Sequence, residues 1–390
     1  MNIGVDIRSL MIKNRTGVGE YNFELLNAVF KLDKNNQYFL FYNSYKNLDK
    51  ILPKWDQPNV HYAGAQFPNK IFNLAIAGKI LRLNRLLPKK IDCWYSPNIN
   101  FCCLDKNIKH VITIHDLSFE IFPEFYTFKQ RLWHWFTKPK KQCQQAETII
   151  VPSENTRRDL VQYYQIDEQK IKVIYPGISE IFNRPPTGQD KTIVQKKYNL
   201  PENFILFLGS IEPRKNILGL ISAFEKLPSQ LTDKYYLIIA GASGWKNHPI
   251  YEKATKSKLK NQIKFLGYIS DTDKPNLYAL AKLFVFPSFY EGFGFPIIEA
   301  MKIGTPVITS NRSSLPEVSR SSAYLIEPNN IGSLILGIKT LLENRPLREK
   351  YSERGHQLAS TYSWNDHARA WLKEILFLSE NTTDQIDKIS

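Results

Sequence analysis

Residues 284–310 read FVFPSFYEGFGFPIIEAMKIGTPVITS, and the order of residue types within them decides how the rest of the chain is read. Residues 284–287 end a short apolar run at proline, the mark of a strand buried on both faces of a parallel sheet rather than an alternating one. The loop that follows carries Glu291, Gly292 and Gly294, where backbone without a Cβ can approach a ligand closely. Pro296 suits the first position of a helix, because its missing N–H is one of the donors left without a partner there. That helix points its free N–H groups and positive dipole end back at the loop, which favours an anion. Seven residues separate Glu291 from Glu299, so one carboxylate lies in the loop and the other about one turn into the helix. Both can face one ligand; a helix cap plus an exposed Glu is the other reading the loop alone allows.

A chain of 390 residues is too long for one ordinary core and predicts two domains. Hydrophobic content of 43% is that of a soluble globular protein. No apolar run reaches the roughly 18 residues a membrane span needs. The opening MNIGVDIRSL has no basic region followed by an apolar core and reads as the first strand of a cytoplasmic protein. Cys93, Cys102, Cys103 and Cys143 have neither C-x-x-C spacing nor a histidine pattern, which argues against zinc and a disulfide framework and for buried thiols.

The net charge of +15 raises nucleic acid, a membrane surface or anionic substrates as partners. No nucleic-acid motif accompanies it. Residues 70–90, KIFNLAIAGKILRLNRLLPKK, carry six basic residues and no acidic one, interleaved with Ile, Leu and Phe at roughly helical spacing. Such a stretch can lie on anionic lipid, or it is a solvated face whose long basic stems cover core.

In chain order, residues 3–7 form the first strand, and RTGVGEYNFELLNAVF from Arg15 turns through Gly17 and Gly19 into a helix. Strand, glycine loop and helix open a nucleotide-type half, although the spacing is not G-x-G-x-x-G and no acidic partner follows. QYFLFYN from Gln37, DCWYSPNIN from Asp92 and KHVITIHDLSF from Lys109 are further strands, each ending in a polar loop where ligands collect in open α/β sheets. His115 and Asp116 stand at one such end. IFNRPPTGQDKTIVQKKYNLPE, residues 181–202, is Pro-rich and charged and reads as a linker with a short helix. ILFLGSIEPRKNILGLISAFEKL from Ile205 repeats strand, loop and helix, with Arg214 and Lys215 adjacent at the helix start. Two cations there oppose the helix dipole, a placement that makes sense if a diphosphate sits between them. IKFLGYISDTDKPNLYALA from Ile263 puts Gly267 and Tyr268 at a strand end. Its D-x-D, Asp271 and Asp273, reads as a helix N-cap with an acidic first turn rather than a metal pair.

EGFGFPIIEAM followed by GTPVITS resembles the E-x7-E signature of the retaining family 4 glycosyltransferases, which share the two-domain GT-B fold and use nucleotide-sugar donors. The resemblance extends to TIHDLSFEIFPEFY from Thr113 and to the EPRKN loop, and covers essentially the whole chain. It implies an α/β fold of two doubly wound Rossmann-like domains facing across a cleft. The boundaries are an acceptor-side domain at 1–180, a linker at 181–200, a nucleotide-sugar-binding domain at 201–363, a terminal helix at 364–380 crossing back to the first domain, and a frayed tail at 381–390. It further implies that Glu291 lies beside the transferred sugar, that Gly292, Phe293, Gly294 and Phe295 offer backbone N–H groups to sugar and diphosphate, and that Glu299 binds the ribose hydroxyls. Lys215, with Arg214 beside it, is assigned to the diphosphate, His115 to the donor sugar, Gly267 and Tyr268 to the base, and Gly17 and Gly19 to the lining beneath the donor and acceptor. As isolated glycines the last two read equally as turn residues.

Two departures stand out. Ser210 occupies the position after the glycine where many members have Arg, which leaves the second phosphate ligand open with Arg214 as the candidate to supply the charge. Ser319, Arg320 and Ser321 stand where a glycine is usual. The expected function is retaining, metal-independent transfer of a sugar to a hydroxyl of a growing surface polysaccharide or lipid-linked acceptor. GDP-mannose is the first choice of donor, and no cofactor is expected besides the donor itself. The expected location is the cytoplasm, peripheral at the inner membrane face through residues 70–90. Rival readings are an inactive sugar-nucleotide-binding scaffold on the same fold and a sugar-nucleotide epimerase.

Overall fold

The computed structural model describes residues 1–13, 15–48 and 50–386, with side chains described as far as 378. The chain divides into two compact units, one of residues 1–117, 128–177 and 363–390, the other of residues 118–127 and 178–362. Against the expected boundaries, residues 118–127, 178–180 and the linker 181–200 group with the second unit and residue 363 with the first; the largest departure within a domain is the inserted residues 118–127. Their aromatic side chains explain why. Phe122 packs on Tyr290, Phe125 stacks on Phe289, Tyr126 stacks on Trp245, and Trp245 donates its indole N–H to the Phe125 carbonyl at 2.7 Å.

The first unit is built on seven parallel strands: β1 (Asn2–Asp6), β2 (Gln37–Asn43), β3 (Val60–Ala65), β4 (Cys93–Ser96), β5 (Lys109–Thr113), β6 (Thr148–Val151) and β7 (Ile171–Val173). They lie in the order β3-β2-β1-β4-β5-β6-β7. The second unit has six: β8 (Phe204–Leu208), β9 (Tyr236–Ala240), β10 (Ile263–Gly267), β11 (Leu283–Phe286), β12 (Val307–Ser310) and β13 (Tyr324–Ile326), in the order β10-β9-β8-β11-β12-β13. Inner strands such as FILFL and LFVF are buried at every position, whereas the edge strands β3 and β10 are not. That is how a parallel sheet covered by helices on both faces must read. In both sheets the order reverses beside the first strand, at β1/β4 and at β8/β11, and such reversal points open a crevice at the carboxyl ends of the strands.

Two glycines are fixed by close approach. A Cβ on Gly241, at φ +136°, would stand 1.9 Å from the Gly209 carbonyl oxygen where β8 and β9 end. A Cβ on Gly177 would stand 2.1 Å from the Trp364 backbone nitrogen. Trp364 opens the helix Trp364–Ile386, which lies in the first unit and buries Ala368, Trp371 and Ile375. Its run to Ile386 makes the first part of the tail at 381–390 helical rather than frayed; residues 387–390 lie outside the described residues. The linker stretch holds a ten-residue helix, Gly188–Lys197, closed by a capping box between Thr187 and Asp190.

Gly17 and Gly19 are not in a loop: the helix Gly17–Leu32 begins at the first of them. The basic stretch 70–90 is likewise not one helix. The helix Asn69–Ala77 ends there, Lys79 turns at φ +60°, and Arg82 and Arg85 both pair with Asp105, at 3.1 and 2.8 Å. All four cysteines are free thiols, with Cys93 and Cys143 buried and the adjacent pair partly exposed. Among the described residues no helix is long and apolar enough to cross a membrane.

Candidate active site

Adjacency of β8 and β11 brings together loops that are some 75 residues apart in sequence. After β8 the chain makes a short 3₁₀ turn, Pro213–Lys215, and Asn216 at φ +55° starts the helix Ile217–Phe224. After β11 the loop runs to Gly294, at φ +102°, which starts the helix Phe295–Lys302. A Cβ there would stand 2.7 Å from Leu315 Cδ2, so both conformation and space call for glycine.

Between these two loops Glu291 accepts from Lys215 Nζ at 2.6 Å on one carboxylate oxygen and from Arg214 at 3.0 Å on the other. Arg214 also donates to Glu212 at 2.9 Å and to the Tyr290 carbonyl at 2.6 Å. Glu212, Lys215 and Glu291 are 1%, 7% and 6% exposed. Burial pushes the Glu291 carboxyl up, but Arg214 and Lys215 outweigh it and hold it below the usual carboxylate range, so Glu291 is an anion at neutral pH. Two cations and two carboxylates alternate, a charge-balanced set that lets four ionised side chains lie out of water.

Hydroxyl groups from the next loop hold the Glu291 segment in place. Ser313 accepts from the Glu291 N–H at 2.9 Å, and Ser314 donates to the carbonyls of Glu291 and Phe293. Phe293 is turned into the core against Phe295 and Tyr362, so it can offer a ligand only its backbone. Glu299, half-buried, accepts from the Tyr278 hydroxyl at 2.9 Å. Gly267 and the exposed Tyr268 stand at the end of the edge strand β10. That end is two strands from β8, or about 10 Å at the usual strand spacing. Ser210 stands two residues past the end of β8, and residues 209–213 include no cation to stand beside Arg214.

Asp271 and Asp273 do not cap a helix with their side chains. Asp271 pairs with Lys274 at 2.6 Å, and Asp273 accepts from Lys197 at 2.6 Å and the Tyr198 hydroxyl at 2.7 Å, tying the helix Gly188–Lys197 to the helix Lys274–Leu280. Asp273 stands at the expected N-cap position and both acids lie in the first turn, but neither side chain bonds the helix N–H groups: Asp273 alone clasps the two helices, and Asp271 pairs within its own turn.

In the first unit His115 follows β5, partly exposed. Its Nε2 lies 2.9 Å from the Pro97 carbonyl, which can only accept, so Nε2 carries the proton and Nδ1 is the acceptor. Burial lowers its pKa, which keeps the ring neutral. Tyr21, from the helix that begins at Gly17, meets the His115 ring edge-on at 4.8 Å. Gly17 is exposed and Gly19 buried near the Ser9 carbonyl oxygen.

Reading the sequence missed Glu212, Ser313, Ser314 and Tyr278. Glu212 was visible as the first residue of EPRKN, but its role requires knowing that Arg214 is enclosed. The serines precede LPEV, an ordinary helix start, and nothing local marks them as supports of Glu291.

Two doubly wound parallel sheets, with a cation and carboxylate cluster at the strand-order reversal of one, are the GT-B architecture, and the families and relatives that the chain matches place a glycosyltransferase on it. Residues 17–180 match the family model described as Glycosyltransferase Family 4, and residues 189–358 the one described as Glycosyl transferases group 1. The chain belongs to glycosyltransferase family 4 and is mannosyltransferase-like. It is 29% identical over 359 residues to O-antigen chain mannosyltransferase B of Escherichia coli, covering 90% of this chain and 93% of that protein. It is 30% identical to the serotype-specific mannosyltransferase WbdA of Escherichia coli over 67% of this chain, though only 32% of that longer protein. Among solved structures, Anabaena HepE in complex with UDP and glucose superposes with a TM-score of 0.72 at 18% identity, covering 96% of this chain and 99% of that one.

Proposed function

We propose that this glycosyltransferase of glycan biosynthesis transfers mannose from GDP-mannose, with retention of anomeric configuration and without a metal ion, to a hydroxyl of a surface polysaccharide or lipid-linked acceptor. The observation that carries the reading is the buried Arg214–Lys215–Glu291 cluster at the β8/β11 reversal. Transfer breaks the bond from the sugar C1 to the diphosphate and forms one from C1 to the acceptor oxygen. The acceptor proton passes to the departing phosphate oxygen, so no base-activated nucleophile is needed. Charge grows on the diphosphate as its bond breaks. Lys215, Arg214 and the N–H groups of residues 292–295 supply fixed donors for it, each typically worth about 10²- to 10³-fold in rate. Glu291 holds both cations and stands for the sugar, Glu299 for the ribose hydroxyls, and Gly267 and Tyr268 for the base. His115, neutral, offers Nδ1 to a sugar hydroxyl.

Mannose is supported by the names of the relatives; the UDP and glucose bound to HepE belong to that protein and make UDP-sugars the alternative donors to exclude. A panel of nucleotide sugars read by release of free nucleotide, with the product anomer determined by NMR, tests donor and retention together. Fastest turnover of GDP-mannose with an α product is expected. Inversion, or turnover of a UDP-sugar alone, overturns it. An inactive scaffold would release no nucleotide from any donor, and an epimerase would change the sugar without releasing nucleotide.

The reading includes an anionic membrane face as partner, supported by exposed Lys70, Lys79, Lys89 and Lys90 beside exposed Ile71, Leu74 and Ile80. Co-sedimentation with anionic but not neutral vesicles, weakening as salt rises, is the expected result.

A further inference from the structure

A groove of about 530 Å³ lies in the first unit, apart from the residues assigned to donor and sugar. One wall is the end of the helix Asn69–Ala77 with Lys79 and Arg82; the other is the turn from the helix Phe128–Thr137 into the helix Pro139–Gln145. Its apolar lining includes the buried Ile76 and Ile108, the partly buried Phe101 and the exposed Phe136. Lys79, Arg82, Lys106, Lys138 and Lys141 line it against two carboxylates, Asp105 and Glu147. Both carboxylates are already engaged, Asp105 by Arg82 and Arg85 and Glu147 by the His110 N–H at 2.6 Å. Four lysines thus line a partly apolar groove with no carboxylate paired to any of them among the described residues.

A second observation points to an occupant with hydroxyl groups. Gln142, 7% exposed, lines the groove and donates both amide hydrogens to backbone carbonyls, at 2.8 Å to Asn100 and 2.6 Å to Thr137. That fixes which end of the amide is oxygen, and the oxygen has no hydrogen-bond partner. A buried acceptor left unpaired is costly, and Lys138 and Lys141 suit a phosphate while this oxygen suits an O–H.

Large exposed apolar side chains flank the lining residues along the chain. Leu74 and Ile80, 73% and 86% exposed, stand either side of the lining residues Ile76, Ala77 and Lys79, and Trp135, 67% exposed, precedes Phe136 on the helix whose first residue, Phe128, is 78% exposed. Exposed large apolar groups around a basic pocket match the boundary between lipid headgroups and acyl chains. The groove lies toward His110 and Glu147, at the start of β5 and just before β6, whereas His115 follows the other end of β5. The length of a five-residue strand, roughly 17 Å, separates the two ends, so an occupant of the groove is no reactant at His115.

We infer that this groove binds the headgroup of an anionic glycerophospholipid, the phosphate on the lysines and a headgroup hydroxyl on Gln142, with both helix rims entering the membrane surface. The inference deepens the membrane reading above and locates it, adding residues 128–145 to the stretch 70–90.

The test uses the full chain and soluble dihexanoyl phosphatidylglycerol, dihexanoyl phosphatidic acid, dihexanoyl phosphatidylcholine and inorganic phosphate as probes, with binding read by tryptophan fluorescence. Saturable binding of the phosphatidylglycerol is expected, at least threefold tighter than the phosphatidic acid and without saturation by phosphatidylcholine. Combined Lys79→Gln, Lys106→Gln, Lys138→Gln and Lys141→Gln should weaken it at least about tenfold, whereas Lys70→Gln, Lys89→Gln and Lys90→Gln outside the groove should leave it within twofold. Ala77→Trp, which keeps every charge but narrows the groove, should weaken it too and guards against a fold lost to the lysine changes. Equal binding of phosphate, equal affinity for the phosphatidic acid, or equal loss in both lysine sets overturns the assignment. Anionic-vesicle sedimentation surviving in the groove variants while soluble-lipid binding is absent would leave the membrane reading standing and this site refuted. Nucleotide release in solution should be unchanged in all of them, which keeps the outcome separate from that of the catalytic reading.

Discussion

Lys215 is held at 2.6 Å by Glu291 and lies over the face of Phe286 with its nitrogen 5.0 Å from the ring centroid, so its charge is positioned by buried groups. Fixed charges near a leaving group act without reorganisation as the bond breaks. Lys215→Ala should therefore lower kcat by about 10²-fold or more while Arg214 keeps Glu291 ionised and the protein folded. Nucleotide release together with a thermal melt checks it, and activity within threefold of wild type would refute the role. Arg320 poses a different residue-level question, since it sits at φ +48°, ψ −135°, a region that side chains other than glycine's enter only at a cost of roughly 1–3 kcal/mol. The family's usual glycine is absent there, and the backbone still takes the glycine shape. Arg320 is exposed, so little packing is lost on removing it. Arg320→Gly is expected to raise stability by about 1 kcal/mol after the added freedom of the unfolded chain is counted, seen as a higher denaturant midpoint at unchanged slope. A lower midpoint would show the strain is absent.

At the scale of elements, the strand, loop and helix of residues 284–310 are legible in the sequence because each junction carries a residue whose backbone chemistry forces it: Pro287 closing the strand, Gly294 at φ +102°, Pro296 in the first helical turn. The cations of the 212–216 loop are legible for the opposite reason, that they are badly placed for a helix alone. What stays hidden is pairing across the sheet. Nothing within DTDK shows that Asp273 reaches back some 75 residues to Lys197 and Tyr198, and the local rule that acids start helices points to a cap instead. The clasp yields its own prediction. Lys197 is half-exposed, so the ion pair is worth little in water, and Asp273→Asn, which keeps an acceptor for Tyr198, should cost under about 1 kcal/mol. Combined with Asp271→Asn it should leave nucleotide release unchanged, with and without excess chelator. Loss of activity in the variant, or in chelator with rescue by magnesium or manganese, would make these residues metal ligands.

For the whole molecule, the buried histidines are unevenly shared between the two units. His110, His115, His134 and His367, the histidines whose pKa burial lowers, all lie in the first unit; His248 and His356 of the second are exposed. His367 is the clearest case, 1% exposed, its Nδ1–H donated to the Tyr175 carbonyl at 3.0 Å and its Nε2 accepting from the Tyr21 hydroxyl at 2.9 Å. Burial lowers its pKa from the ordinary 6.5 to about 4, as it does for His110. Tyr21, Tyr175 and Trp364 face His367 from the helix Gly17–Leu32, the loop after β7 and its own helix without a charge to offset a proton, and His115, after β5, opposes one further. The folded state thus favours the neutral ring. Above pH 6.5 neither state takes up the proton and the full stability is present; as pH falls from 6.5 toward 4 the unfolded chain binds protons the folded one refuses, and stability is lost across that window. A shift of that size at one fully buried histidine is worth on the order of 3 kcal/mol once pH is below 4. Hydrogen exchange followed at pH 7, 5.5 and 4.5 should show the first unit losing protection before the second. His367→Gln, whose amide can both donate to Tyr175 and accept from Tyr21 without titrating, should flatten part of the loss. Equal loss of protection in the two units, or an unchanged pH dependence in the variant, would mean that acid acts on this protein through other groups.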